Sequence, residues 1–111
     1  MNEISWADFE KVDLRVGVIV RAEAFPEARQ PAYRLWIDFG PLGQKRSSAR
    51  IVDHYQPEAL VGRQVVCVVN FSPKQIGPFA SEVLVLGAPG SGREVILLRP
   101  DREVELGSRI G

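Results

Sequence analysis

Short segments with alternating apolar and polar residues recur along this chain, separated by clusters of glycine and proline. The alternation is clearest over 14–22 and 33–39, and it predicts strands there because successive side chains of a strand point to opposite faces. Gly17, inside the first of these strands, predicts a bulge or a sharp bend. Further strands are predicted over 44–51, 64–70, 81–86 and 94–98.

Two short helices are predicted among these strands. Ser5 precedes Trp6-Ala7-Asp8, the pattern of an N-cap with an acidic third residue, and this helix should run to about Lys11. A proline near its start and a glycine just past its end predict one or two helical turns over 56–62. Three strands, a helix and further strands follow the order of a Greek-key barrel of the oligonucleotide/oligosaccharide-binding (OB) type. The predicted fold is therefore all-β, a five-stranded OB-fold barrel with short helices and terminal extensions, as one domain over 1–111.

The composition of the chain is that of an ordinary globular protein and excludes few classes of protein. The chain has 111 residues, of which 45% are apolar and 25% charged, which is ordinary for a globular domain. No apolar run approaches the ~18 residues that span a bilayer, and Met1-Asn2-Glu3 does not resemble the start of a secretory signal. Cys67 is the single cysteine and is expected to be buried as a small hydrophobe. We therefore expect a cytoplasmic protein without membrane insertion.

The charge of the chain is unevenly distributed although the formal net charge is zero. Residues 1–28 carry three basic and six acidic side chains, a net charge of −3. Residues 29–74 carry seven basic and three acidic side chains, a net charge of +4. This asymmetry indicates either a basic face for an anionic or carbonyl-rich partner or a solvated mixed surface.

The connection between the predicted strands 64–70 and 81–86 is unusually apolar. Connections are normally polar because water must satisfy their backbone groups, yet this one contains three large apolar side chains and two prolines. Either these side chains form a binding surface, or Phe71 and Phe79 pack onto the barrel as core. The candidate ligand-binding residues are Asn70, Phe71, Pro73, Lys74, Ile76, Phe79 and Ser81, with Lys45 and Arg46 completing a basic rim with Lys74.

Such a surface suits two kinds of ligand. An extended polypeptide would place apolar side chains in a hollow and have its backbone held by polar groups. A single-stranded nucleic acid would use the same cationic and aromatic side chains. Composition does not separate the two. Ser47 and Ser48 are expected on the third strand, facing either a ligand or the barrel.

Neither a catalytic site nor a metal site is expected. His54 is the only histidine and lies next to Asp53, but no nucleophile lies beside it, so a structural or solvent role is favoured over that of a general base. Three or four metal ligands of suitable type do not cluster in the sequence. The glycines at 87, 90 and 92 lack the Lys-Ser/Thr of a phosphate loop. We therefore expect no enzymatic activity, no cofactor and no metal.

Several motifs resemble the tRNA-binding OB domains, which occur free-standing and appended to methionyl- and phenylalanyl-tRNA synthetases. The matching segments are Asp13-Leu14-Arg15-Val16-Gly17-Val18-Ile19, residues 55–63 and Asn70-Phe71-Ser72-Pro73-Lys74. The resemblance covers roughly residues 9–110. Members that bind tRNA usually have Asn-Leu-Lys-Pro, a basic run and Ser-Glu-Gly-Met. This chain instead has Asn70-Phe71-Ser72-Pro73, Lys74 alone and Ser81-Glu82-Val83-Leu84.

Residues 25–32, 45–50 and 81–87 resemble the bacterial secretion-chaperone branch of this family. That resemblance implies a homodimer that binds unfolded preproteins and is associated with SecA. It also places dimer contacts in the terminal segments, here Trp6, Phe9, Leu98 and Pro100. The thinned basic run favours polypeptide over RNA, because each lost phosphate contact weakens RNA binding. Structure-specific tRNA binding is the alternative function, and a weak contact with tRNA is a further partner prediction.

Overall fold

Nine strands and three short helices make up the fold of the computed structural model, which describes residues 1–92 and 94–111. The helices are α1 (Trp6–Glu10), α2 (Pro57–Leu60) and a 3₁₀ helix (Gly40–Leu42). The strands are β1 (Leu14–Ala24), β2 (Tyr33–Asp38), β3 (Gln44–Ala49), β4 (Gln64–Val68), β5 (Lys74–Ile76), β6 (Phe79–Ser81), β7 (Leu84–Val85), β8 (Gly87–Pro89) and β9 (Val95–Leu97). Five of them form one antiparallel sheet in the order β3-β2-β1-β4-β7, while β5 pairs with β6 and β8 with β9.

The sheet curls into a nearly closed barrel because the outer edge of β3 meets the segment that leads into β7. The carbonyl oxygen of Arg46 accepts hydrogen bonds from the backbone N–H groups of Glu82 (2.8 Å) and Val83 (3.3 Å). The backbone N–H of Ser48 donates to the Ser81 hydroxyl oxygen at 3.0 Å. With α2 between β3 and β4, the predicted OB-fold barrel is confirmed.

Alternation in β2 decides which side chains fill the barrel. Tyr33, Leu35 and Ile37 are buried, while the residues between them remain partly exposed. The other buried members of this core are Ile19, Phe39, Ile51, Leu60, Val65, Cys67, Val83 and Leu97. Burial of a Val, Leu, Ile or Phe side chain contributes about 1.5–3 kcal/mol, so this cluster is the main source of folding free energy.

Gly17 makes room for a ring that packs closely against β1. A Cβ at this position would lie 2.6 Å from Ile37 Cγ2 and 2.8 Å from Phe39 Cε1, which is closer than packed carbon atoms come. The register of β1 against β2 shifts between Ile19 and Arg21, not at Gly17. The predicted bulge at Gly17 is therefore wrong, and the glycine permits close packing of Phe39 against β1.

The apolar connection after β4 is a hairpin, where the sequence predicted an irregular loop. Lys74 pairs with Ser81 and Ile76 with Phe79, and the turn between β5 and β6 contains Gly77 at a φ of 55°. The strand predicted over 64–70 ends at Val68. The strand predicted over 81–86 is shorter because Ser81 belongs to the hairpin. The connection is therefore a short two-stranded hairpin beside the barrel.

Helix α1 is short and is held in place by its cap and by long-range hydrogen bonds. Ser5 and Asp8 form the predicted capping box, with Oγ of Ser5 accepting from Asp8 N–H at 3.1 Å and the Asp8 carboxylate accepting from Ser5 N–H at 3.2 Å. Behind the helix, Asn70 Nδ2 donates to the carbonyl oxygen of Lys11 at 2.7 Å, and Arg109 donates to that of Glu10 at 2.9 Å. Among the described residues, no helix is long and apolar enough to cross a membrane.

Cys67 is fully buried in the barrel core, as expected, and burial raises the pKa of its thiol to about 12. The reactive thiolate is therefore scarce at pH 8. We expect thiol reagents at pH 8 to leave the folded protein unlabelled and to label one cysteine per chain once urea unfolds it. Rapid labelling of the folded protein would contradict this placement.

Candidate functional site

A groove of about 780 Å³ opens between the end of β3, the segment entering β5 and the strand β7. Its floor contains Ile51 and Val83, which are buried core residues. At its walls Phe71 is 58% exposed and Leu84 is 48% exposed. Large apolar side chains left exposed beside an apolar hollow are typical of binding sites.

Hydrogen bonds from two serines of β3 join this strand to residues 81–83 at the edge of the groove. The Ser47 side chain is buried, and its hydroxyl donates to the carbonyl oxygen of Val83 at 2.9 Å. Ser48 and Ser81 both line the groove and are joined by the Ser48 N–H. The sequence left open whether these two serines face a ligand or the barrel. In the structure Ser47 faces the barrel, and Ser48 faces the groove.

Four of the candidate ligand-binding residues line the groove together: Phe71, Lys74, Ile76 and Ser81. Phe79 does not line it, because its side chain is only 4% exposed. Its ring packs edge-on against Phe25 and Trp36, with centroid distances of 5.4 and 5.8 Å. Of the two alternatives drawn from sequence, Phe79 takes the core position and Phe71 the exposed one, so the choice of Phe79 as a ligand contact is corrected.

Asn70 and Pro73 also lie away from the groove lining. The Asn70 side-chain amide has partners at both ends: Oδ1 accepts from Asp13 N–H at 3.0 Å and Nδ2 donates to Lys11. Asn70 therefore positions the chain after α1 through both ends of its amide. Pro73 is exposed just before β5, where it constrains the backbone between Phe71 and the hairpin.

The basic rim differs from the predicted one. Lys74 lines the groove, but Arg46 lies outside it, with its guanidinium 3.5 Å from the Glu82 carboxylate and 5.3 Å from the Phe79 ring. Lys45 pairs with Ile37 in the β2–β3 ladder and is not among the described residues that line the groove. Arg50 supplies the second cation instead, because it follows the end of β3.

The outer face of β1 and β2 carries two arginines that share one carboxylate, that of Glu23. Arg21 covers the ring of Trp36 at 4.3 Å and donates to Glu23 at 2.8 Å, and Arg34 donates to the same carboxylate at 2.7 Å. A base cannot stack on the covered side of Trp36 unless Arg21 moves away. Phosphates and bases would therefore have to compete with contacts that these arginines and Trp36 already make within the chain.

Sequence reasoning missed several groove residues. Leu84, Val85 and Val95 line it together with Arg50. Alternation over 81–86 could have indicated that one side of that strand is exposed. The sequence around Val95 does not indicate a place in the groove, because the β8–β9 hairpin brings this residue there from a distant part of the chain.

His54 lies beside a carboxylate outside the groove lining. Its Nε2 is 3.1 Å from Glu94 Oε2, and Glu94 also accepts a hydrogen bond from Ser91 N–H at 3.1 Å. The Ser91 N–H and, to a lesser degree, His54 lower the pKa of Glu94 below its usual value. In the described part of the chain, no three His, Cys, Asp or Glu side chains are grouped to hold a metal ion.

The residues predicted for a dimer interface fall into two places. Trp6 is 66% exposed, and its ring lies 5.3 Å from that of the half-buried Phe9, beside the C-terminal Ile110. Leu98 is exposed just after β9, and Pro100 borders a different hollow next to Arg63. The structure therefore joins Trp6 with Phe9 in one apolar patch and leaves Leu98 and Pro100 outside it.

The family described as a putative tRNA binding domain matches residues 14–109, which is most of the chain. The chain belongs to this tRNA-binding domain family. The matched range includes the motifs at 55–63 and 70–74 and all but the first residue of the motif at 13–19.

Solved structures narrow the position within the tRNA-binding domain family. The chain is similar to the chaperone CsaA from Bacillus anthracis, with 50% identity, a TM-score of 0.94 and coverage of 99% of this chain and 100% of that one. It is also similar to the CsaA chaperone protein from Picrophilus torridus, with 47% identity, a TM-score of 0.90 and coverage of 98% and 100%. CsaA is the chaperone branch that the sequence motifs resemble, and that resemblance is confirmed.

A second group of relatives consists of aminoacyl-tRNA ligases. The methionine–tRNA ligase of Bdellovibrio bacteriovorus is 39% identical over 108 residues, which cover 97% of this chain but 16% of the ligase. The chain thus spans about a sixth of the length of this relative. The similarity to the ligase concerns this one segment, whereas the two chaperones are matched over their whole length.

Proposed function

We propose that the chain is a non-catalytic chaperone that binds unfolded preproteins before their export, as a homodimer in the cytoplasm. The observation that carries this proposal is the groove of about 780 Å³, with exposed Phe71 and Leu84 beside a buried apolar floor. Whole-length similarity to two CsaA chaperones supports it. A contact with SecA is a further part of the proposal, and co-sedimentation of the two purified proteins tests it.

The groove suits an extended chain because it combines apolar walls with the polar residues Ser48, Ser72 and Ser81. An unfolded preprotein exposes apolar side chains that would be buried after folding. Each such side chain gains roughly 25 cal/mol per Å² when it leaves water. Phe71 and Leu84 offer this apolar area, while the charged side chains of Arg50 and Lys74 keep the rim of the groove hydrated.

Fluorescence anisotropy with a labelled, unfolded preprotein peptide tests the proposed ligand directly. We expect saturable binding that changes little between 50 and 500 mM salt, because apolar contacts are not screened by ions. A peptide of the same composition but with its apolar residues replaced by serine is the control. Equal binding of the two peptides would contradict an apolar groove as the binding site.

The proposed homodimer rests on the patch of Trp6 and Phe9. Sedimentation at micromolar concentration should give about twice 12.3 kDa. Trp6→Ala should shift the protein toward the monomer, since truncating a central aromatic side chain costs about 2 kcal/mol or more at an interface. Leu42→Ala, at an exposed apolar position on the 3₁₀ helix, should leave the mass unchanged. A monomeric wild type at all concentrations would contradict the dimer.

The second candidate function is structure-specific tRNA binding, which membership of the tRNA-binding domain family favours. The cations Arg50 and Lys74 at the groove would then contact phosphates. Such binding should fall steeply with salt, because each phosphate contact releases counterions. The pairing of Arg21, Arg34 and Arg46 with carboxylates favours the polypeptide ligand over tRNA.

A further inference from the structure

A second hollow of about 440 Å³ continues the apolar groove beyond Ser48. The two spaces share Ser48, Arg50, Lys74 and Ile76, so a ligand leaving the groove past Arg50 enters the hollow directly. The character of the walls changes at this border. The groove is mainly apolar, whereas the hollow is walled by the charged and polar residues of the connection between β1 and β2.

Three cations face the hollow: Arg29, Arg50 and Lys74. In the described part of the chain none of the three is within ion-pair distance of a carboxylate, unlike the arginines on the outer face of the sheet. The Arg50 guanidinium donates at 2.6 Å to Oε1 of Gln30, a neutral acceptor. Glu27 is the one acidic side chain among the described lining residues, so the hollow carries a net charge of +2.

We propose that this hollow is a subsite for an acidic residue of the bound polypeptide, which we call the acidic-residue subsite. The inference rests on the proposed function and adds a sequence preference to it. A carboxylate suits guanidinium groups because two N–H donors can face its two oxygens. The preferred segment would therefore combine an apolar anchor in the groove with an Asp or Glu beside it.

The spacing of the two features is short because the hollow begins at residues that also line the groove. An extended chain advances about 3.3 Å per residue, so we place the acidic residue about three positions from the apolar anchor. An unbroken row of phosphates fits this arrangement less well, because Arg50 and Lys74 lie where the groove meets the hollow and the one other charged residue of the described groove lining is the acidic Glu82.

Paired peptides test the acidic-residue subsite. One unfolded peptide carries an apolar cluster with Glu three positions away, and the other carries Gln at that position. Wild type should bind the Glu peptide about 3- to 10-fold more tightly, the scale of one or two partly exposed ion pairs. The double variant Arg50→Gln, Lys74→Gln should lose this difference. Arg102→Gln, with an exposed side chain outside both spaces, should keep it.

The possible outcomes separate the subsite from the function on which it rests. If both peptides bind wild type equally, the subsite is wrong and the apolar groove stands. If neither peptide binds, the proposed function fails and the subsite with it. If a single-stranded RNA displaces the Glu peptide while the Gln peptide does not bind at all, the hollow is a phosphate site and the subsite proposal is overturned.

Discussion

Replacement of Phe71 by serine should weaken the binding of an unfolded apolar peptide about 10- to 100-fold, the range expected for an aromatic anchor in a binding site. Phe71 is the most exposed aromatic side chain at the groove, and it lies opposite the apolar floor formed by Ile51 and Val83. Burial of its ring by a peptide would remove a large apolar area from water.

Anisotropy titration of the Phe71→Ser variant measures this loss, and urea unfolding checks that the fold is kept. Since Phe71 packs little against its own chain, its unfolding free energy should change by less than about 0.5 kcal/mol. Leu42→Ser is the matched control, since Leu42 is exposed but lies outside the groove. Unchanged peptide affinity of the Phe71→Ser variant would contradict the groove as the peptide-binding site.

Replacement of Phe79 by alanine should act on stability instead, lowering the free energy of unfolding by about 3–5 kcal/mol. The Phe79 ring fills the space between Phe25 and Trp36, and the Arg46 guanidinium covers it. Its loss would leave a cavity that these rings close only in part. For a domain with a typical stability of about 5–15 kcal/mol, this is a large fraction.

Urea denaturation followed by tryptophan fluorescence measures the Phe79→Ala effect, because Trp36 is in contact with the ring. Phe71→Ala is the control and should unfold at nearly the urea concentration of wild type. A Phe79→Ala variant as stable as wild type, with weakened peptide binding, would mean that Phe79 contacts the ligand after all.

The local parts of the fold were predictable from sequence because neighbouring residues determine them. Alternation over 33–39 placed β2 and its buried residues, and the Ser5-x-x-Asp8 spacing placed the cap of α1. The order of strands and helix then indicated the barrel topology, and the family motifs supported it. The bulge assigned to Gly17 was wrong because the ring that needs this glycine, that of Phe39, belongs to another part of the chain.

The candidate site was predictable only in part, because long-range contacts decide which side chains remain available. Phe71 and Phe79 look alike in sequence, and Phe79 is buried because Phe25 and Trp36 pack against it. Arg46 looked available for a ligand until Glu82, 36 residues later, was found beside it. The cations Arg29 and Arg50, 21 positions apart in the sequence, line the same hollow only in the folded chain.

Competition between an unfolded preprotein peptide and tRNA for the purified protein tests the central claim most directly. The labelled peptide is bound first, tRNA is added, and the titration is repeated at 50 and 200 mM salt. We expect the peptide to bind with a shallow salt dependence and tRNA to displace it poorly at the higher salt. Tight tRNA binding that falls by orders of magnitude with salt, together with no measurable peptide binding, would contradict it.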